Sequence, residues 1–181
     1  MPWRSPPPSK QSSCWRWRRG FRQGLSLGGA YAHDGVSGLR SQTAELPKCC
    51  ALVCRLVREC APTHKFNSVL LCEQGKGDWH RDHHNAPSPN VVLPLSRFSG
   101  GEIFVQHAGG SDTNQRDGSP VVGTLFNVAK GPVAFHAFAF DHVVLPWEGA
   151  RVVVVAYSVK GVERMRETAE GAGLPVEPIC A

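Results

Sequence analysis

Three residues in this chain have the types and the spacing to hold a metal ion. In His80-Arg81-Asp82 an imidazole and a carboxylate stand two residues apart. On an extended strand alternate side chains leave from the same face, so the two would project together while Arg81 faces away. A third ligand must come from elsewhere, and His142, at the start of a later predicted strand, can supply it. Two histidines and one carboxylate on one face of an octahedron leave three positions open, the arrangement that non-haem Fe(II) oxygenases use. Two of those positions suit a chelating oxo-acid and the third O2. Arg151 follows across a Pro-Trp-Glu-Gly turn and begins the next predicted strand. A guanidinium there can grip a carboxylate through two parallel hydrogen bonds, which fits the distal carboxylate of 2-oxoglutarate.

The chain has eight histidines, so rivals must be weighed. His136 is the alternative third ligand, but it lies mid-strand in VAFHAFAF, and the Pro-Trp-Glu-Gly-Ala-Arg context favours His142. His83 and His84 read as a solvated loop and His107 as structural or exposed. Trp79 and Trp147 border the ligands and are expected to pack in the core, where they would also keep water from a metal.

The elements that must position these groups are mostly short strands. Pro47 opens a predicted helix through Cys60, with an apolar stripe at Leu46, Cys49, Leu52, Val53, Leu56 and Val57, which reads as a support packed on a sheet. From Phe66 onward strands are predicted at 66–74, 90–96, 100–107, 124–129, 131–140, 142–147 and 151–158, joined by turn residues. That spacing predicts a mainly β domain with supporting helices, a sandwich or jelly roll. The polar segment 108–120 reads as a surface loop. With 83–90 it is expected to line the entrance to the site, since loops at a barrel mouth set access. Residues 24–43 read as weakly extended, and a charged final helix is predicted over 161–170.

The combined pattern resembles the 2-oxoglutarate/Fe(II)-dependent dioxygenase superfamily, whose fold is a double-stranded β-helix. Its HxD…H…R motif stands here as His80, Asp82, His142 and Arg151. A closer resemblance is to uncharacterised microbial-eukaryote and retroelement-associated oxygenase domains. It is carried by GLSLGGAYAHDGVSG, FNSVLL, HRDHHN…NVVLPLSRFSGGEIFV and FDHVVLPWEGARVVVVAYS, over residues 24–177. That group is distantly similar to oxygenases of nucleic-acid bases. The resemblance implies Fe(II) and O2, with 2-oxoglutarate as co-substrate, and no catalytic side chain beyond the metal ligands. Some relatives place a hydroxyl two residues after the arginine, where this chain has Val153. Asn67 and Ser68 are therefore the candidates for a second grip on the co-substrate.

Composition bounds the rest. The formal charge of +5 is uneven: residues 1–33 carry Arg4, Lys10, Arg16, Arg18, Arg19 and Arg22 and no acid. Residues 1–23 read as a disordered basic tail, 24–177 as the oxygenase domain and 178–181 as a C-terminal tail. The tail supports a competing expectation, a non-enzymatic nucleic-acid-binding module, and its Arg- and Ser-rich character is also compatible with organelle targeting. A cupin-like metalloenzyme without 2-oxoglutarate is the other alternative, against which Arg151 discriminates. No apolar run is long enough for a membrane span. Seven cysteines and no secretory signal point to reduced thiols in a cytoplasmic or nuclear protein. A zinc site at Cys49, Cys50, Cys54 and Cys60 is the lesser reading beside buried cysteine as a small hydrophobe. The expected partner is a polar substrate, nucleic acid or polypeptide.

Overall fold

The segment predicted as a helix folds as one, but it buries a different face from the expected stripe: Leu46, Cys49 and Leu52 are exposed. In the computed structural model, which describes residues 25–33, 36–73 and 77–161, helix α2 spans Pro47–Cys60 with proline in its first turn. Cys50, Cys54 and Val57 recur at helical spacing and are its buried residues. They pack with Leu27, Phe66, Val69, Val91, Leu93, Val154 and Ala156 in one apolar cluster. Cys49 and Cys60 are exposed, so the four cysteines do not converge on a zinc ion. Cys49, Cys50, Cys60 and Cys72 are free thiols. Cys54 is disulfide-bonded, which departs from the expectation that every thiol is reduced.

The strands that bear the site form two sheets. The larger has the order β2-β1-β3-β12-β4-β9 and the smaller β10-β6-β8-β7. Their ranges are β1 Leu25–His33, β2 Val36–Leu39, β3 Ser68–Glu73, β4 Asn90–Pro94, β6 Ile103–Gln106, β7 Asp112–Arg116, β8 Ser119–Phe126, β9 Val133–Phe135, β10 His142–Val144 and β12 Val152–Tyr157. A two-stranded ribbon of β5 (Ser99–Gly100) and β11 (Trp147–Glu148) completes the set. His80 joins the edge of the small sheet through an antiparallel bridge to His142. From β3 through His80, β4, β6, β8, β9 and β10 to β12, the chain visits the large, small, large, small, small, large, small and large sheets. That alternation is the winding of a double-stranded β-helix. The expected jelly roll is therefore present.

Strand periodicity sorts the side chains into two cores. Along β12, Val154 and Ala156 face the helix cluster, whereas Val153 and Val155 face the interior between the sheets. The interior cluster also holds Val92, Ile103, Val105, Val128, Phe135 and Ala137. Arg151, one step before β12 and in phase with Val153, is buried to 1% exposure.

Three expectations change. The segment 108–120 is no loop: most of it is the hairpin of β7 and β8, turned at Asp117 and Gly118 with φ of 51° and 79°. Two successive positive φ values at Asp-Gly match the right-handed twist of the flanking strands. The strand predicted over 131–140 is confined to β9, followed by a turn at 137–139. Residues 24–43 include a paired β1–β2 hairpin and a short helix α1, Ser41–Glu45. The tail at 1–23, the helix predicted over 161–170 and the residues 178–181 lie outside the described residues.

Gly29 has a demanding place in this frame. Its φ is +103°, and an added Cβ would stand 2.1 Å from the Asn67 carbonyl oxygen. That oxygen and the Ser68 Cα, at 2.6 Å, are both backbone atoms, so neither can swing away. Gly29→Ala is expected to lower unfolding free energy by roughly 2–4 kcal/mol. Chemical denaturation checks this, and an unchanged midpoint would contradict it.

Candidate metal centre

His80, Asp82 and His142 converge. One ligand atom from each lies within 4.8 Å of the other two, and they are the only such group of three or more among the described residues. Each is oriented by a second interaction. The His80 Nδ1–H donates to the Asp78 carbonyl at 2.8 Å, and the His142 Nδ1–H donates to the Phe140 carbonyl at 3.2 Å. A carbonyl only accepts, so both protons sit on Nδ1 and both Nε2 lone pairs are left for a metal. The two rings have centroids 4.2 Å apart, and Phe135 packs edge-on against His142 at 5.1 Å.

Asp82 is held by two buried asparagines. Its Oδ2 accepts from Asn85 Nδ2 at 3.2 Å and from Asn90 Nδ2 at 3.0 Å. Asn85 Nδ2 also donates to Asn90 Oδ1 at 3.1 Å, linking the two amides. One carboxylate oxygen is thereby occupied and the other remains for coordination. Asn90 begins the apolar β4 as an inward polar residue. That lone amide at the head of a Val-Val-Leu run is the signal by which the pair could have been found, and the sequence reading missed it.

Outside the metal pocket, charged residues fasten the two ligand-bearing segments together. Arg81 lies between His80 and Asp82, and its Nε pairs with Asp141 Oδ1 at 2.9 Å, next to His142. Arg116 reaches from β7 to Asp141 Oδ2 at 2.9 Å and to Gln106 Oε1 at 2.8 Å. Its guanidinium lies over the Trp79 ring at 5.1 Å. Hydrogen bonds from Arg116 and Arg81 hold the Asp141 carboxyl below its ordinary range. The segment read as an entrance loop thus braces the strand that carries His142.

The other sequence candidates divide. Arg151 lies inside the barrel with its Nε buried and unpartnered, and burial draws its guanidinium below the ordinary arginine range. Cys72 stands opposite Val153 on β3, within electrostatic reach of both Arg151 and Asp82. Burial pushes its thiol up to about 11, so it stays protonated as a neutral part of the wall. Asn67 and Ser68 are not brought to Arg151. The β3–β12 register sets Val152 opposite Glu73 and Tyr157 opposite Ser68, at opposite ends of the ladder. Five residues of strand is about 16 Å, beyond the reach of a five-carbon acid held at Arg151. Ser68 Oγ instead donates to the Ala30 carbonyl at 2.6 Å, and Asn67 bonds the Val159 backbone through both ends of its amide. Both side chains thus fasten neighbouring segments of the fold. His136 is exposed, and His107 bonds Thr124 Oγ1 at 2.8 Å.

Comparison with known proteins places these features beside several solved structures. A 2OG-Fe(II) oxygenase family oxidoreductase from Burkholderia pseudomallei aligns at 20% identity and TM-score 0.42, covering 74% of this chain and 64% of that one. The ribosomal oxygenase YcfD from Escherichia coli, in complex with cobalt and 2-oxoglutarate, aligns at 11% identity and TM-score 0.40, covering 83% and 46%. A viral collagen prolyl hydroxylase from Paramecium Bursaria Chlorella virus-1 aligns at 11% and 0.29, covering 77% and 82%. This chain spans less than two thirds of the first two. No family model matches it, and no curated protein matches it in sequence. Among the described residues no helix is long and apolar enough to cross a membrane.

One buried and one half-buried imidazole make the metal-free fold sensitive to acid. Burial lowers the pKa of His142 from its ordinary 6.5, and the neighbouring His80 acts in the same direction. Burial also lowers that of His64, against a hydrogen bond to the Ala156 carbonyl. In both cases the unfolded chain binds its proton first as pH falls. Stability is therefore held above about pH 6.5 and lost progressively below it, until the folded-state pKa values are passed. Denaturant midpoints of the metal-free protein measured from about pH 8 to about pH 5 check this, with a flat profile as the contrary result.

Proposed function

We propose that the chain is a mononuclear Fe(II) oxygenase of the 2-oxoglutarate-dependent superfamily, coupling oxidative decarboxylation of 2-oxoglutarate to hydroxylation of a polar substrate. The observation that carries this reading is Arg151: a buried guanidinium with an unpartnered Nε, inside the same barrel as a two-histidine, one-carboxylate cluster. A cation so placed calls for an anion from outside the described fold, since burying an unpaired charge is costly. The donor set fits Fe(II): two neutral imidazoles and one carboxylate oxygen satisfy half an octahedron.

The chain's own contributions can be named. His80, Asp82 and His142 would hold the ion, and when bound it supplies the O2 chemistry that no side chain here can provide. The Asp78 and Phe140 carbonyls fix the imidazole tautomers. Asn85 and Asn90 keep the Asp82 carboxylate turned toward the pocket. Arg151 would bind the distal carboxylate of the co-substrate from a position already shut off from solvent. For the substrate, a polypeptide or a nucleic acid remains the proposed class.

The test is succinate formation from 2-oxoglutarate by anaerobically purified, Fe(II)-loaded protein on exposure to air. Succinate above an Asp82→Ala control supports the reading. Failure of the loaded protein to bind 2-oxoglutarate would sink it and leave a metalloprotein of another kind.

A further inference from the structure

Arg151 has no counter-charge among the described residues, yet it is fixed in place. The β5–β11 ribbon, with Trp147 opposite Gly100, lies against it. Phe98 precedes one arm and Trp147 sits in the other. The Arg151 Cζ lies 5.5 Å from the Phe98 ring centroid and 5.7 Å from that of Trp147. Aromatic faces attract a cation through their quadrupole, most strongly where water is excluded. They take the place of a counter-ion without accepting the in-plane N–H donors, which stay available to a carboxylate.

Backbone geometry makes room for this arrangement. Gly100 and Gly101 both have positive φ, 71° and 67°, and the Gly101 N–H donates to the Pro146 carbonyl at 2.9 Å, tying the two arms. A Cβ at Gly101 would stand 2.9 Å from both Cδ and Nε of Arg151 and 3.1 Å from the Trp147 Cβ. The space a methyl would take is occupied by the arginine stem.

We propose that the Phe98–Trp147 ribbon, with Gly101 at its corner, is the positioning element for the co-substrate grip: it holds the Arg151 guanidinium by aromatic contact and leaves its donors free for a dicarboxylate. This rests on the 2-oxoglutarate reading above. Phe98, Trp147 and Gly101 act through Arg151 and touch no reacting atom.

The experiment is calorimetric titration of 2-oxoglutarate into the full chain loaded with Co(II) under anaerobic conditions, with Co(II) affinity measured in parallel. Trp147→Ala is expected to bind 2-oxoglutarate about tenfold more weakly with unchanged Co(II) affinity. Trp147→Phe keeps an aromatic face and should return to within about threefold of the native value. Gly101→Ala should weaken binding in the same direction, and if that variant fails to fold, the Trp147 pair decides. Native affinity in Trp147→Ala overturns the ribbon's role while the co-substrate reading stands. Parallel loss of Co(II) affinity marks general damage and also overturns it. A native protein that takes Co(II) but no 2-oxoglutarate overturns both.

Discussion

Asp82→Ala is expected to lower the affinity for Fe(II) or Co(II) by more than about a hundredfold and to abolish metal-dependent turnover, because the loss is one of a ligand and not of a supporting contact. The same change strands one buried amide donor. Asn90 Nδ2 donates to the Asp82 carboxylate alone, whereas Asn85 Nδ2 keeps Asn90 Oδ1 as an acceptor, and a donor left buried without an acceptor costs about 1–3 kcal/mol. Stability and metal affinity should therefore fall together. Asn90→Ala separates the two effects, since it leaves the ligand and removes only its orientation. A loss of about 10–100-fold in metal affinity is expected there. Metal titration of both variants is the measurement, and native affinity in Asp82→Ala would rule out the assigned site.

Arg151 should behave in the opposite sense. Arg151→Ala is expected to weaken 2-oxoglutarate binding by roughly a hundredfold, as loss of a buried charge-assisted pair does, while metal affinity is kept. Arg151→Met, of similar volume, removes a charge that has no counter-charge among the described residues. It should stabilise the metal-free protein by about 1–4 kcal/mol. The native protein, in contrast, should gain stability when 2-oxoglutarate is added, by mass action on the folded state. Thermal unfolding with and without 2-oxoglutarate tests the pair of variants. An Arg151→Met variant less stable than the native protein would show that the Phe98 and Trp147 faces more than offset the cost of burying the charge.

Much of this was legible in the sequence where a single physical rule dominates. Helix α2 begins and ends at the expected residues because proline starts it and apolar residues recur at the helical period, but the face packed on the sheet is that of Cys50, Cys54 and Val57. The convergence of His80, Asp82 and His142 rests on their short spacing plus one long-range bridge, His80 to His142. What was missed depends on tertiary context. The Asp117-Gly118 hairpin was hidden because its first strand, DTNQR, is wholly polar and is held by pairing with β8 and by the bond of Arg116 to Asp141. Asn67 and Ser68 carry suitable chemistry, but register alone decides which end of β3 they occupy. The Phe98–Trp147 ribbon consists of residues that composition alone assigns to core packing.

The alternation of strands between the two sheets has a kinetic consequence. His80 pairs with His142 across most of the barrel sequence, and β3 and β12, its first and last strands, are hydrogen-bonded neighbours. No local segment contains the three ligands, so no early hairpin can capture a metal ion and grow around it. The ladders that matter close late and over long loops, which places folding in the slow, millisecond-to-second regime of high contact order. Added metal should then leave the refolding rate almost unchanged and slow unfolding instead, because its site exists only once the winding is complete.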